Sequence, residues 1–225
     1  AIDGIRGLGI RGVSITIPHK VSAMKLIDAI DDAAREIGAI NTIVNDGGKL
    51  KGFNTDYTGA LRALEEKTPL KGKRAVLIGA GGVGLAIATG LKNKGAKIVI
   101  LDAVEGMAKE LAGRVGAKKY GGADNLASIA SADILINATP VGMFPKVKES
   151  VVPKKLLHPG LTVFDVVYNP METKLIAEAK AAGCAVVYGH KMFLYQAAEQ
   201  FRLFTGQEAP LAEMERVLIK ALAGE

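Results

Sequence analysis

The sequence predicts an α/β protein in two parts: a doubly wound parallel sheet in the middle of the chain and a smaller α/β unit. Three observations predict it. From Arg74 onward, apolar β-branched runs alternate with stretches of helical periodicity, the rhythm of a parallel sheet with helical crossovers. A glycine-rich turn joins the first of those strands to the first of those helices. Before residue 68 the pattern differs, with short strands and a hairpin turn, and after residue 189 it is helical.

The elements follow in order. Soon after Ala1 the chain is already in a strand, Val13 to Ile17 (VSITI), which alternates, is β-branched and ends at Pro18. Val21, Met24, Ile27 and Ile30 at helical spacing predict a helix over 21–30. Asp31 or Asp32 caps a further helix through Ile37, which Gly38 stops. Asn41 to Asn45 is strand-like, Asp46-Gly47-Gly48 is a hairpin turn, and Leu50 to Asn54 returns. Asp56 to Lys67 reads as a helix with Leu61 and Leu64 inward, followed by a linker at Thr68-Pro69 and Lys71-Gly72-Lys73. Strands are then expected at 74–78, 97–101, 117–120, 133–137, 161–167 and 185–188, with helices at 83–94, 104–115, 124–131 and 172–182. Two helices close the chain, at about 190–205 and 210–223. The second is amphipathic and expected to pack into a core.

The glycine turn is the most specific local signal. Arg74 to Ile78 (RAVLI) runs into Gly79-Ala80-Gly81-Gly82-Val83-Gly84, and a helix follows. In this G-x-G-x-x-G the first glycine permits a tight turn and the second lets the backbone approach a pyrophosphate. The third lets helix and strand pack closely, and the helix N-terminus faces the phosphates. A second strand, Lys97 to Leu101, ends at Asp102, which follows the first glycine by 23 positions, near the usual place of the acid that binds an adenosine ribose. The alternative is a glycine-rich turn in some other α/β unit. The surrounding strand, helix, second strand and acid favour a dinucleotide site in a Rossmann-type sheet.

Composition bounds the rest. The chain has 225 residues, 49% of them hydrophobic, which suffices for a sizeable core. No apolar run reaches the length of a membrane span, and the N-terminus does not read as a signal peptide. Cys184 is the only cysteine, so no internal disulfide can form, which fits a reducing, cytoplasmic setting. No Cys/His cluster suggests a metal. The net charge is +6, but the basic residues are scattered and aromatics are only 5%. That favours mild attraction for anionic small molecules over nucleic-acid binding.

Several polar residues could carry chemistry. Ser14, Thr16, His19 and Lys20 cluster at a strand end in VSITIPHK. At a helix start Lys20 would feel the positive end of the helix dipole, which suits it to proton transfer; the alternative is an ordinary surface lysine. Asn41, among apolar neighbours, either satisfies backbone groups or reaches a ligand. Asp56 is either an N-cap or a partner of Lys20 across a cleft. Asn137-Ala138-Thr139-Pro140-Val141-Gly142-Met143 follows a buried strand, where it either borders a nicotinamide or merely connects. Gly189, Met192 and Gln196 share a helical face, with Gln196 either solvated or bonded to a ligand hydroxyl.

Taken together, VSITIPHK (13–20), GAINTIV (38–44), NTD (54–56), GAGGVG (79–84), NATPVGM (137–143), YNP (168–170) and G-x-x-M-x-x-x-Q (189–196) resemble the shikimate dehydrogenases and their quinate/shikimate relatives over nearly the whole chain. The resemblance implies reversible reduction of 3-dehydroshikimate to shikimate with NAD or NADP, a step towards aromatic amino acids. It implies that Lys20 is the catalytic lysine and Asp56 the aspartate that orients it. Asn41, Thr16 and Gln196 would contact substrate hydroxyls, with Ser14 where an asparagine is common. Tyr168 would lie near the substrate carboxylate, and Gly189 and Met143 near the nicotinamide. It also implies a substrate domain at 1–67 and 190–225 and a dinucleotide domain at 68–189.

Two departures matter. Asp102-Ala103-Val104 stands where the family usually has Asn-Arg-Thr, whose Arg binds the NADP 2′-phosphate. A carboxylate there accepts from a free 2′-hydroxyl and repels a phosphate, so NAD is expected to be preferred. The family's first strand and its serine-bearing loop are absent before Ala1. If the polypeptide begins there, carboxylate binding is incomplete, weak turnover is expected, and an open sheet edge could pair two copies into a homodimer. Two rivals remain: another two-domain dehydrogenase, such as a methylenetetrahydrofolate dehydrogenase or a glutamyl-tRNA reductase-like enzyme, and a non-catalytic ligand sensor. The joint presence of Lys20 and Asp56 argues against both, while the missing N-terminal segment argues weakly for the sensor.

Overall fold

The computed structural model describes residues 1–224. A four-stranded sheet is formed by β1 (Gly12–Ser14), β2 (Ala29–Ile30), β3 (Thr42–Asp46) and β4 (Lys49–Phe53) in the order β1-β3-β4-β2. The β3–β4 hairpin turns on Gly47 and Gly48, both at positive φ, and Asp46 pairs with Lys49 across it. Helices α1 (Ile2–Gly7), α2 (Asp32–Ile37) and α3 (Thr55–Glu65) accompany this sheet. Ile5, Ile40, Ile43 and Leu50 form its buried core. As the sequence suggests, Asp31 caps α2 by accepting from the Ala33 N–H, and Gly38 closes it in the left-handed conformation.

The second sheet is six-stranded and wholly parallel. Its strands are β5 (Arg74–Ile78), β6 (Lys97–Asp102), β7 (Lys119–Gly122), β8 (Ile134–Asn137), β9 (Thr162–Asp165) and β10 (Ala185–Val187), in the order β10-β9-β8-β5-β6-β7. Helices α4 (Gly82–Asn93), α5 (Glu105–Val115) and α6 (Lys174–Ala181) make the crossovers. Chain order reverses between β5 and β8, and a crevice opens beyond the carboxyl ends of the strands at such a switch point. The strands are apolar on both faces because both faces are covered. Leu77, Ile100 and Ile136 pack on one side, and Val76, Leu101, Leu135 and Val163 on the other.

The chain ends in α7 (Gly189–Thr205) and α8 (Leu211–Ala223). Leu211, Met214 and Leu218 of α8 pack against the core, while Val217 stays exposed, so only one stripe of its apolar surface is used. Helix α7 lies against α3, and Gly59 permits the close approach. A Cβ there would stand 2.6 Å from the Met192 carbonyl oxygen and 2.8 Å from the Gln196 nitrogen.

Several expectations need correction. The helix expected over 21–30 is a 3₁₀ helix, Ser22–Leu26, followed by β2. Met24, Ile27 and Ile30 do pack on the small core, but residues 29 and 30 gain more by extending the sheet beside β4. The helix expected over 124–131 is likewise 3₁₀, Leu126–Ser131. Helix α1 has no counterpart in the sequence reading: two of its six residues are glycine, which hides its periodicity, and only Ile5 is buried. Strand β7 begins two residues later than expected, and β9 stops at Asp165 rather than residue 167.

Candidate active site

Lys20 and Asp56 meet. The Lys20 ammonium lies 2.6 Å from Asp56 Oδ2, and their side chains retain 23% and 15% exposure. The backbone explains how. The Thr16 carbonyl accepts from the His19 N–H in a turn through Pro18, and the Lys20 carbonyl accepts from Ile40 N–H, tying Lys20 beside the segment that leads through Asn41 into β3. Asp56 is not the cap of α3. Asn54 is: its Oδ1 accepts from Tyr57 N–H and its Nδ2 donates to the Ala39 carbonyl. Asp56, in the first turn, is therefore free to face Lys20. Lys20 itself precedes only a short 3₁₀ turn, so the dipole expected from a longer helix is reduced to that of one turn.

Asn41 is buried and satisfies backbone: its Oδ1 accepts from Thr55 N–H at 2.8 Å and from the Thr42 hydroxyl, and its Nδ2 donates to Thr55 Oγ1. The Thr55 hydroxyl in turn lies 3.3 Å from Gln196 Oε1, so Gln196 joins this group across the α3–α7 contact. Ser14 donates to Gln200 Oε1 at 2.9 Å, and Gln200 Nε2 donates to Thr42 Oγ1 at 3.0 Å. Sequence reasoning missed Gln200. Its signal was its position one turn after Gln196 on the same helix face. Thr16 is exposed beside Ser14.

The glycine loop matches its expected geometry. Gly79 has φ 109°, and a Cβ there would meet the Ala138 carbonyl oxygen at 2.7 Å. A Cβ on Gly84 would meet the Gly79 carbonyl oxygen at 2.0 Å. Gly81 and Gly82 have no protein atom within 4 Å of a built Cβ, and α4 begins without a side-chain cap. That combination suits a dinucleotide pyrophosphate: open backbone and uncapped N–H groups at a helix start, near Ala80 and Val83. Asp102 stands at the end of β6 and already accepts two backbone bonds, from Ala80 N–H at 2.7 Å and Val104 N–H at 2.8 Å. It therefore shapes the glycine loop from the end of β6. A cavity of about 440 Å³ opens there, lined by Ile78, Ala103, Thr139, Val141, Lys148 and Lys174 among others.

Across the switch point, Ala138 and Thr139 close over Gly79, while Met143 is half exposed. Gly189 opens α7 where only glycine fits, since a Cβ would meet the Val167 carbonyl oxygen at 2.4 Å. Tyr168, just beyond, packs on Phe193 with ring centroids 5.1 Å apart. Among the described residues no group of His, Cys, Asp and Glu could hold a metal, and no helix is long and apolar enough to cross a membrane.

The parallel sheet and its glycine loop define a Rossmann-type dinucleotide-binding protein. Residues 1–43 match the shikimate dehydrogenase substrate-binding domain, 62–165 the shikimate/quinate 5-dehydrogenase model and 189–219 the shikimate 5′-dehydrogenase C-terminal domain. Shikimate dehydrogenase (NADP⁺) of Moorella thermoacetica is 43% identical, over 99% of this chain and 79% of its own length. The shikimate 5-dehydrogenase of Thermus thermophilus, solved with NADP(H) and shikimate, superposes with a TM-score of 0.89 at 35% identity, over 98% of this chain and 82% of that one. Quinate dehydrogenase from Corynebacterium glutamicum, solved with NAD, gives 0.90 at 36%, over 97% and 81%. The chain belongs to the shikimate dehydrogenase family.

Proposed function

We propose that the chain catalyses the NAD(P)-dependent, reversible reduction of 3-dehydroshikimate to shikimate. The observation that carries this is the Lys20–Asp56 pair, held 2.6 Å apart in a chain of this family. A nicotinamide held beside these residues would supply the hydride chemistry at C3. Lys20 moves the proton of the C3 oxygen: it gives a proton to the carbonyl oxygen during reduction and takes one from the hydroxyl during oxidation. Asp56 orients the Lys20 ammonium and accepts from a substrate hydroxyl. Ser14, Thr16, Asn41 and Gln196 bind the remaining hydroxyls, and Tyr168 lies by the carboxylate. Gly79 to Gly84 hold the pyrophosphate, with Ala138, Thr139, Met143 and Gly189 at the nicotinamide end. The corresponding division is a substrate domain at 1–67 and 190–225 and a dinucleotide domain at 68–189. Steady-state assay of shikimate and quinate tests the reading; turnover of neither acid with either cofactor would overturn it.

A preference for NAD belongs to the same proposal. It is supported by the Asp102 carboxylate at the end of β6 and by the absence of a cation from Asp102-Ala103-Val104. Against it stands the NADP⁺ in the name of the Moorella relative. The ratio of kcat/KM for NAD to that for NADP decides, and a strong NADP preference would refute it.

A further inference from the structure

Asn137 and Asp165 are register partners at the carboxyl ends of the adjacent strands β8 and β9, and neither has any exposed surface. Asn137 uses both ends of its amide. Its Nδ2 donates to Asp165 Oδ1 at 2.9 Å and to the Val141 carbonyl at 3.1 Å. Its Oδ1 accepts from Thr139 N–H at 3.0 Å and from the Thr139 hydroxyl at 2.7 Å. Asp165 is held in turn by the Thr173 hydroxyl at 2.6 Å and the Val167 N–H at 3.1 Å.

An ionised carboxylate only accepts. Turning the Asn137 amide over would aim its oxygen at Asp165 and at the Val141 carbonyl, and its NH₂ at Thr139 N–H. All of those contacts would be repulsive in a buried place, where an unmet polar group costs most. Asp165 thus joins the Val141 carbonyl and the Thr139 N–H in fixing which way Asn137 points, as the one charged group of the three, and Asn137 ties the loop from Ala138 to Val141. That loop closes over Gly79 at the switch point, on the side of β5 away from Asp102. A dinucleotide whose adenosine lies towards β6 has its nicotinamide on this side.

We propose that Asp165 is a positioning residue for the nicotinamide half of the cofactor, acting through the Asn137 amide on the loop at Thr139. The inference rests on the dinucleotide part of the proposed function and assigns Asp165 no contact with substrate or cofactor.

The test compares ligands that share the adenosine half. Dissociation constants of NADH and ADP-ribose are measured for the native chain and for Asp165→Asn; if NADPH binds better, it is paired with 2′-phospho-ADP-ribose. The expected result is that the reduced dinucleotide weakens about tenfold or more while the fragment stays within about twofold. Equal weakening of both, which a merely structural role would produce, overturns the proposal, as does no change in either. If Asp165→Asn does not fold, Thr173→Val removes the 2.6 Å bond that holds Asp165 from a residue outside the loop, with the same two outcomes. These measurements need no shikimate. A native chain without shikimate turnover would therefore defeat the proposed activity and leave this comparison intact.

Discussion

Lys20 Nζ and Asp56 Oδ2 are 2.6 Å apart although 36 residues separate them in sequence. One follows the turn after the first strand of the small sheet and the other opens α3 behind its last. The pairing depends on Asn54 taking the capping role, which leaves the Asp56 carboxylate free.

If Asp56 orients Lys20, Asp56→Asn lowers kcat by about a hundredfold, the scale of a misplaced reacting group. The double variant with Lys20→Ala is then no slower than Lys20→Ala alone, because the two act as a unit. Additive losses in steady-state kinetics would separate them.

Gly81 and Gly84 answer differently to alanine. A Cβ on Gly84 meets backbone at 2.0 Å, so Gly84→Ala destabilises the fold by about 1–3 kcal/mol or more in urea unfolding. Gly81 faces open space at φ −75°, so Gly81→Ala leaves stability within about 0.5 kcal/mol. It nevertheless weakens dinucleotide binding about tenfold, since the methyl fills room meant for phosphate. Unchanged affinity in Gly81→Ala would argue that the space serves nothing.

Gly59→Ala pushes α3 and α7 apart. A cost of about 1–3 kcal/mol is expected, with a raised KM for shikimate, because Gln196 leaves Thr55. A thermal melt and a substrate titration check both parts.

Burial pushes the Asp165 carboxyl up to about 6 against hydrogen bonds from Thr173, Val167 and Asn137 that pull it down. Its folded value lies above its unfolded one, so its contribution to stability is fully present below about pH 3.8 and is lost as pH rises to about 6. The full swing is on the order of 3 kcal/mol. Unfolding free energy measured at pH 4.5 and 6.5 should therefore fall with pH by more in the native chain than in Asp165→Asn. Parallel profiles would place the titration elsewhere.

Much of this was legible in the sequence. The parallel sheet was readable because strands buried on both faces are continuous apolar runs, and Gly38 and Asp31 marked the ends of α2 by rules that need no tertiary context. Lys20 and Asp56 were legible as candidates and as possible partners from their motifs, but the means of their meeting, the Ile40–Lys20 backbone bond and the Asn54 cap, was not. Residues 21–30 misled because helical spacing also describes a 3₁₀ turn leading into a strand when both pack on one core. The sequence presents Asp102 as a ribose ligand, and its bonds to Ala80 and Val104 arise only from folding. Gln200 had only its place one turn after Gln196 to mark it, and the Asp165 network had no mark at all, because their partners lie on other elements.

The rate of reduced-cofactor formation from shikimate, compared between the native chain and Lys20→Ala, tests the central claim most directly. The expected result is native turnover and a kcat about 10²–10⁴-fold lower in the variant, with the KM for shikimate changed only a few-fold. A Lys20→Ala protein that keeps the native kcat would contradict the assignment of Lys20 as the group that moves the proton.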